Sequence, residues 1–146
     1  MTGETVNPEP SLQPLDRNEC LGLLRAGRVG RLAVVIEGRP HLVPLNYAVD
    51  EHGVVVFRTA ELTVATEVAL AHVAFEVDDI DVEGHRGWSV TVHGYGRDIT
   101  NAIDRESMRL RELPVRPWAP GPRDQWYKII PAEITGRRLT PAPAAS

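Results

Sequence analysis

"RVGRLAVVIEGRPHLVPLNYAVDEHGVVVFRT", residues 28–59, decides the fold class. Three apolar, β-branched runs, 28–36, 41–49 and 54–59, are separated only by the stretches "EGRP" and "DEHG". Both connections are short and carry turn-forming residues, so the runs predict antiparallel strands joined as hairpins in a meander. The last run is apolar until Arg58, a lone charge at the strand end, just before a segment that can start a helix. That arginine is the first residue whose role needs an explanation.

On the N-terminal side, Asp16 with Glu19 three residues later has the form of a capping box, and Leu21, Leu23 and Leu24 follow. A short helix is expected there, ended by Gly27. On the C-terminal side, residues 61–70 predict a second short helix of poor intrinsic propensity, because Thr63, Val64, Thr66 and Val68 are β-branched. Two more strands, 72–77 and 87–99, flank an acidic loop, and in the second Trp88, Val90 and Val92 alternate with Ser89, Thr91 and His93. A polar helix over 101–112 and a final strand over 125–139 complete the pattern. Six hairpin-linked strands interrupted by two or three helices predict a mainly β protein, closed into a small barrel that leaves no exposed edges.

Composition narrows the function. A chain of 146 residues is the length of one domain with one core. Sixteen basic and 20 acidic residues give a net charge of −4 without any block of like charges, which argues against nucleic-acid binding as a main activity. Cys20 is the single cysteine and can form neither an internal disulfide nor a thiolate zinc cluster. With no signal-peptide pattern and no apolar run of roughly 20 residues, the reading is a cytoplasmic protein without a membrane span. Residues 1–14 and 140–146 are rich in Pro, Thr, Ser and Ala and are expected to be disordered tails around a domain at 15–139.

The ordered segments "GRVGRLAVV", "PLNYAV", "VVFRT", "VAFEVDDID", "GWSVTVHGYGRDI" and "WYKIIPAEITGRRL" resemble the pyridoxamine 5'-phosphate oxidase-like proteins. The resemblance spans nearly all of 15–139. It implies the FMN-binding split β-barrel, six-stranded and antiparallel, in a homodimer with two equivalent cofactor sites at the subunit interface. It implies less about chemistry, since such proteins use FMN, the deazaflavin F420, haem or no known cofactor.

The resemblance also proposes site residues. By position, Arg58 and Thr59 match phosphate ligands of flavin-binding relatives, with Thr63 as a third, where a helix N-terminus and an arginine fork suit an anion. The alternative is that Arg58 ends its strand at the surface and pairs with a carboxylate. The chain departs from the family pattern in the same place: Leu62, Thr63 and Val64 stand where a basic residue is usual, and Glu61 would repel a phosphate. Pro44, Asn46 and Tyr47 match positions that contact the flavin ring, although Asn46 can equally serve a neighbouring backbone. Trp88 either packs on the ring or the partner subunit, or belongs to the core with Val90 and Val92.

In "LPVRPWAPGPRDQW", residues 113–126, four prolines stiffen a loop that presents Trp118, as a wall over a ligand or as a cover over a barrel end or dimer contact. Arg116 and Arg123 beside it either meet an anionic ligand tail or solvate the loop. The five histidines have no metal-binding spacing, and no nucleophile elbow, P-loop or dinucleotide fingerprint is present. Two readings of function follow: an FMN- or F420-dependent oxidoreductase transferring hydride to a small, electron-poor substrate, or a non-catalytic small-molecule binder on the same barrel with a degraded phosphate site. A true pyridoxamine phosphate oxidase fits less well, since the chain lacks an evident second phosphate-binding cluster.

Overall fold

Eight strands and two helices make up the described residues, 9–59 and 71–143, of the computed structural model. In chain order they are β1 (Ser11–Leu15), α1 (Arg17–Ala26), β2 (Val29–Ile36), β3 (Arg39–Asn46), β4 (Ala48–Val49), β5 (Val55–Thr59), β6 (His72–Asp81), β7 (Arg86–Asp98), α2 (Arg105–Leu110) and β8 (Gln125–Thr140). The helix expected over 61–70 lies outside the described residues.

Local chemistry accounts for the boundaries. Asp16 caps α1 by accepting the Glu19 N–H at 2.8 Å, while the Glu19 carboxylate accepts from the Asp16 N–H, so the capping box forms as the spacing predicts. Glu37 (φ 52°) and Gly38 (φ 75°) both take the left-handed backbone that a two-residue type I′ hairpin needs, and this sets Ile36 opposite Arg39. The acidic loop expected after residue 77 is mostly strand, because β6 and β7 pair out to Asp81 opposite Arg86. The helix expected over 101–112 is confined to α2, whose start is set by Asp104 accepting the Ser107 N–H.

The sheet is antiparallel throughout, in the order β3-β2-β6-β7-β8-β5-β4. Its two outermost strands, β3 and β4, are consecutive in the chain and joined by Tyr47 alone, so the sheet curls into a half-barrel with one residue spanning the split. This is the split-barrel architecture expected, with eight strands where six are predicted. The added strands have simple causes: the predicted strand 41–49 breaks at Tyr47 into β3 and β4, and residues 11–14, expected to be tail, pair in β1. Strand β8 runs 16 residues and needs partners along both edges. On one edge it pairs with β7; on the other, β5 covers Gln125 to Ile129 and β1 covers Gly136 to Thr140. Pro131, which lacks an N–H, sits where the ladder shifts register between His93 and Gly94. Gly94 is required there, since a Cβ would lie 2.0 Å from the Ile130 carbonyl oxygen.

Two apolar clusters hold the curl. The larger joins Leu21 and Leu24 of α1 to Leu32, Val34, Phe57, Phe75, Val77, Val90, Val92 and Ile129. The smaller sits outside β5 and joins Val54 and Val56 to Ile99, Leu110 and Val115. Strand β5 is therefore covered on both faces, which explains its unbroken apolar run. The lone Arg58 emerges where that double cover ends.

Candidate functional site

Tyr47, the residue that spans the split, turns its side chain inward. Its hydroxyl donates to the Leu24 carbonyl at 2.5 Å, and its ring meets Phe75 edge-on with centroids 5.0 Å apart. Burial pushes its pKa up to about 12, so the phenol is neutral and committed to the core. Together with Asn46 before it, Tyr47 lines a cavity of ≈430 Å³ shared with Arg28, Pro114, Arg116 and Trp118. That volume falls within the range typical of small-molecule sites, about 300–1,000 Å³.

The wall of this cavity is the proline-rich segment, and side chains fasten it at both ends. Asn46 Oδ1 accepts the Trp118 backbone N–H at 2.8 Å, while its Nδ2 donates to the Arg28 carbonyl at 3.4 Å. Arg58 Nε donates to the Arg123 carbonyl at 3.1 Å, and a terminal guanidinium nitrogen lies 3.5 Å from the Val115 carbonyl. The same guanidinium lies 4.9 Å from the centroid of the Trp126 ring, which faces it across the β5–β8 pair. Arg58 thus binds backbone carbonyls and an aromatic face of its own chain, and among the described residues it has no carboxylate partner. Trp118 remains 73% exposed at the cavity rim.

The structure brings Asn46, Tyr47 and Trp118 to one cavity, whose described lining does not include Pro44, Arg58, Thr59 or Trp88. Thr59 is buried, at 3% exposure, opposite Gln125. Pro44 is exposed on β3 opposite Arg31, outside the cavity lining. Trp88 is half-buried, packs against the larger core and lines a separate cleft of ≈300 Å³ with Arg86, Arg138 and Leu139. Thr63, with Glu61, Leu62 and Val64, lies outside the described residues. Arg28 is the lining residue that the sequence reading missed. Its signal was hairpin register: once Ile36 faces Arg39, the pairing runs down to Val29 opposite Asn46, and Arg28 falls beside Tyr47, whose N–H donates to its carbonyl.

The outer face of the sheet has different chemistry. Arg31 bridges Glu76 and Asp78 at 3.4 and 3.0 Å. Burial, reinforced by the neighbouring Asp78, pushes Glu76 up to about 7. An apolar groove of ≈500 Å³ runs between β2, β6 and β7, lined by Ala33, Val35, Ala74 and Tyr95 with His72 and His93. Among the described residues no cluster of His, Cys, Asp or Glu is able to hold a metal ion, and no helix is long and apolar enough to cross a membrane.

Known proteins share this architecture. A solved FAD-binding protein from Mycobacterium smegmatis is 32% identical and superposes with a TM-score of 0.72, over 87% of this chain and 97% of that one. A conserved protein of unknown function from Corynebacterium diphtheriae is 29% identical, with a TM-score of 0.73 over 88% and 98% of the two chains. The uncharacterized protein Rv0080 of Mycobacterium tuberculosis is 32% identical over 132 residues, 86% of this chain and 84% of its own length. The family model for pyridoxamine 5'-phosphate oxidase matches residues 16–138, nearly the whole half-barrel, and the chain belongs to that family.

Proposed function

We propose that this protein is a flavin-binding oxidoreductase that acts as a homodimer and transfers hydride to a small, electron-poor substrate. The observation that carries the reading is the cavity beside Tyr47. Its lining combines an exposed indole, Trp118, with the guanidinium groups of Arg28 and Arg116, and contains no carboxylate among the described residues, in a chain whose net charge is −4. That donor set fits a ligand with a flat ring and phosphate. Arg28, Arg116 and Trp118 would hold such a cofactor, and a bound flavin supplies two-electron chemistry that side chains lack. The chain's part is to bind and orient it: Asn46 and Arg58 keep the wall in place, and the neutral Tyr47 adds no charge to repel a phosphate.

The FAD-binding relative brings FAD into consideration beside FMN and F420. The dimer is supported by the apolar groove on the outer face and by Val35, 56% exposed on its rim. A colourless preparation that binds none of the three would favour the other reading, a non-catalytic binder, which is supported by the engagement of Arg58 with the loop. The deciding experiment is the visible absorbance spectrum of the purified protein, followed by titrations with FAD, FMN and F420 at one salt concentration. Saturable binding of any of them supports the flavin reading, and absence of binding to all three removes it.

A further inference from the structure

The cleft at Trp88, of ≈300 Å³, shares no described lining residue with the cavity beside Tyr47. Side chains alternate along a strand, so the face that buries Val77 of β6 and Val90 of β7 carries Asp79 and Trp88 two residues away. Register then sets Asp79, Trp88 and Arg138 of β8 side by side, with the indole between a carboxylate and a guanidinium. Cβ atoms of directly opposite residues lie about 5 Å apart, which places the two charged residues about 10 Å apart across the ring. Neither has a hydrogen bond or ion pair among the described residues. One row further out the polarity repeats in Asp81 and Arg86, but these two meet at 3.9 Å, and Asp81 also accepts the Gly84 N–H. The outer pair is engaged within its hairpin, and the inner pair is not. The cleft is therefore acidic along its β6 side and basic along its β7 and β8 side, with the accessible part of the indole between. A singly charged ring placed there gains one attraction and meets one repulsion, whereas a ring charged oppositely at its two ends gains both attractions and the stacking contact.

We propose that this cleft binds a small aromatic zwitterion, a flat ring stacked on Trp88 with its ammonium group toward Asp79 and its carboxylate toward Arg138. The site is separate from the candidate flavin cavity and does not depend on what that cavity holds.

The probe is para-aminomethylbenzoate, which carries both charges on one ring, compared with benzoate and benzylamine, which carry one each. Titrations of the full chain follow the indole N–H resonance of Trp88, assigned with Trp88→Phe, and are repeated on Arg138→Gln and Asp79→Asn. Both of these positions are exposed, and thermal melts confirm that the variants are folded. The expected result is saturable binding of the zwitterion at least about threefold tighter than either singly charged compound, the ratio for one exposed charge contact. Arg138→Gln abolishes its advantage over benzylamine, Asp79→Asn abolishes its advantage over benzoate, and saturating FMN leaves the probe in place. Equal affinities for the three compounds, an unmoved Trp88 resonance, or an advantage that survives both variants would overturn the site. Displacement of the probe by FMN would return Trp88 to the cofactor and overturn it as well, while leaving the flavin reading intact.

Discussion

The β7–β8 pair and the segment 113–123 lie in the same small protein and are held by different physics. The strands share a ladder from Gly87 opposite Leu139 to Asp98 opposite Tyr127, interrupted once at Gly94, and one face of that ladder packs Val90, Val92 and Ile129 into the core. The segment 113–123 has no ladder. Val115 anchors it in the smaller cluster, and Asn46 fastens it by one hydrogen bond and Arg58 by two. Many small contacts make the first region cooperative, whereas a few named side chains make the second locally adjustable. The wall of the candidate site therefore depends on residues whose loss the framework tolerates.

Phe75→Ala should have the largest effect and break the comparison from the framework side. The ring is fully buried, fills the space over Gly30 and meets Tyr47, so its loss should cost about 3–5 kcal/mol in chemical denaturation. Both regions should unfold in one transition. A loss below about 1 kcal/mol would mean that the larger cluster does not hold the curl.

Arg58→Ala should separate the two regions. Removing a charged donor from two carbonyls should cost about 1.5–3 kcal/mol locally. The expected signature is faster proteolysis within 113–123 and faster amide exchange at Val115, with a much smaller shift in the global unfolding midpoint than Phe75→Ala gives. Equal midpoint shifts for the two variants would make Arg58 part of the framework. If FMN binding also weakens by about 1.5–3 kcal/mol, the arginine contacts phosphate directly rather than through the wall.

Asn46→Ala removes one good hydrogen bond to the wall and should cost about 1 kcal/mol. Exchange at the Trp118 amide should rise while exchange along β7 stays unchanged. Unaltered Trp118 exchange would show that the prolines alone hold the wall.

Glu76→Gln should have the smallest effect, on the outer face. The carboxyl titrates near 4.5 when unfolded and near 7 when folded, so between those values the folded state holds a proton that the unfolded state releases. Stability contributed by the protonated carboxyl is present below about 4.5 and is lost as pH rises through 7. Since the side chain is 35% exposed, solvent screening limits the change to about 1 kcal/mol or less. Thermal melts at pH 5 and pH 8 should converge in the variant, and an unchanged difference between them would assign the pH dependence to another group.

Much of the framework was legible because its signals are local. The capping box at Asp16 and Glu19, the turn at Glu37–Gly38 and the alternation through Val90 and Val92 each act within a few residues, and each appears where the spacing predicts. The strand β1 was not legible: "SLQPL" carries little apolar signal, and it orders because the far half of β8 presents an unpaired edge. The family pattern led to Arg58 and Thr59 as phosphate ligands, but the fold directs one to the proline-rich wall and buries the other.

By itself the sequence determined the antiparallel meander, the order of the elements, the buried double-sided run 54–57 and the rigidity of the proline-rich segment, because turn chemistry, side-chain period and ring constraints are properties of neighbouring residues. Only the tertiary structure decided that Arg28, Asn46 and Trp118, far apart along the chain, share one cavity, that Asn46 is occupied by the wall it supports, and that Trp88 lines a different cleft. The reason is geometric. The curl closes through Tyr47, and which loop then covers that joint depends on how β5, β8 and α2 pack around the smaller core, a choice that no local stretch of chain encodes.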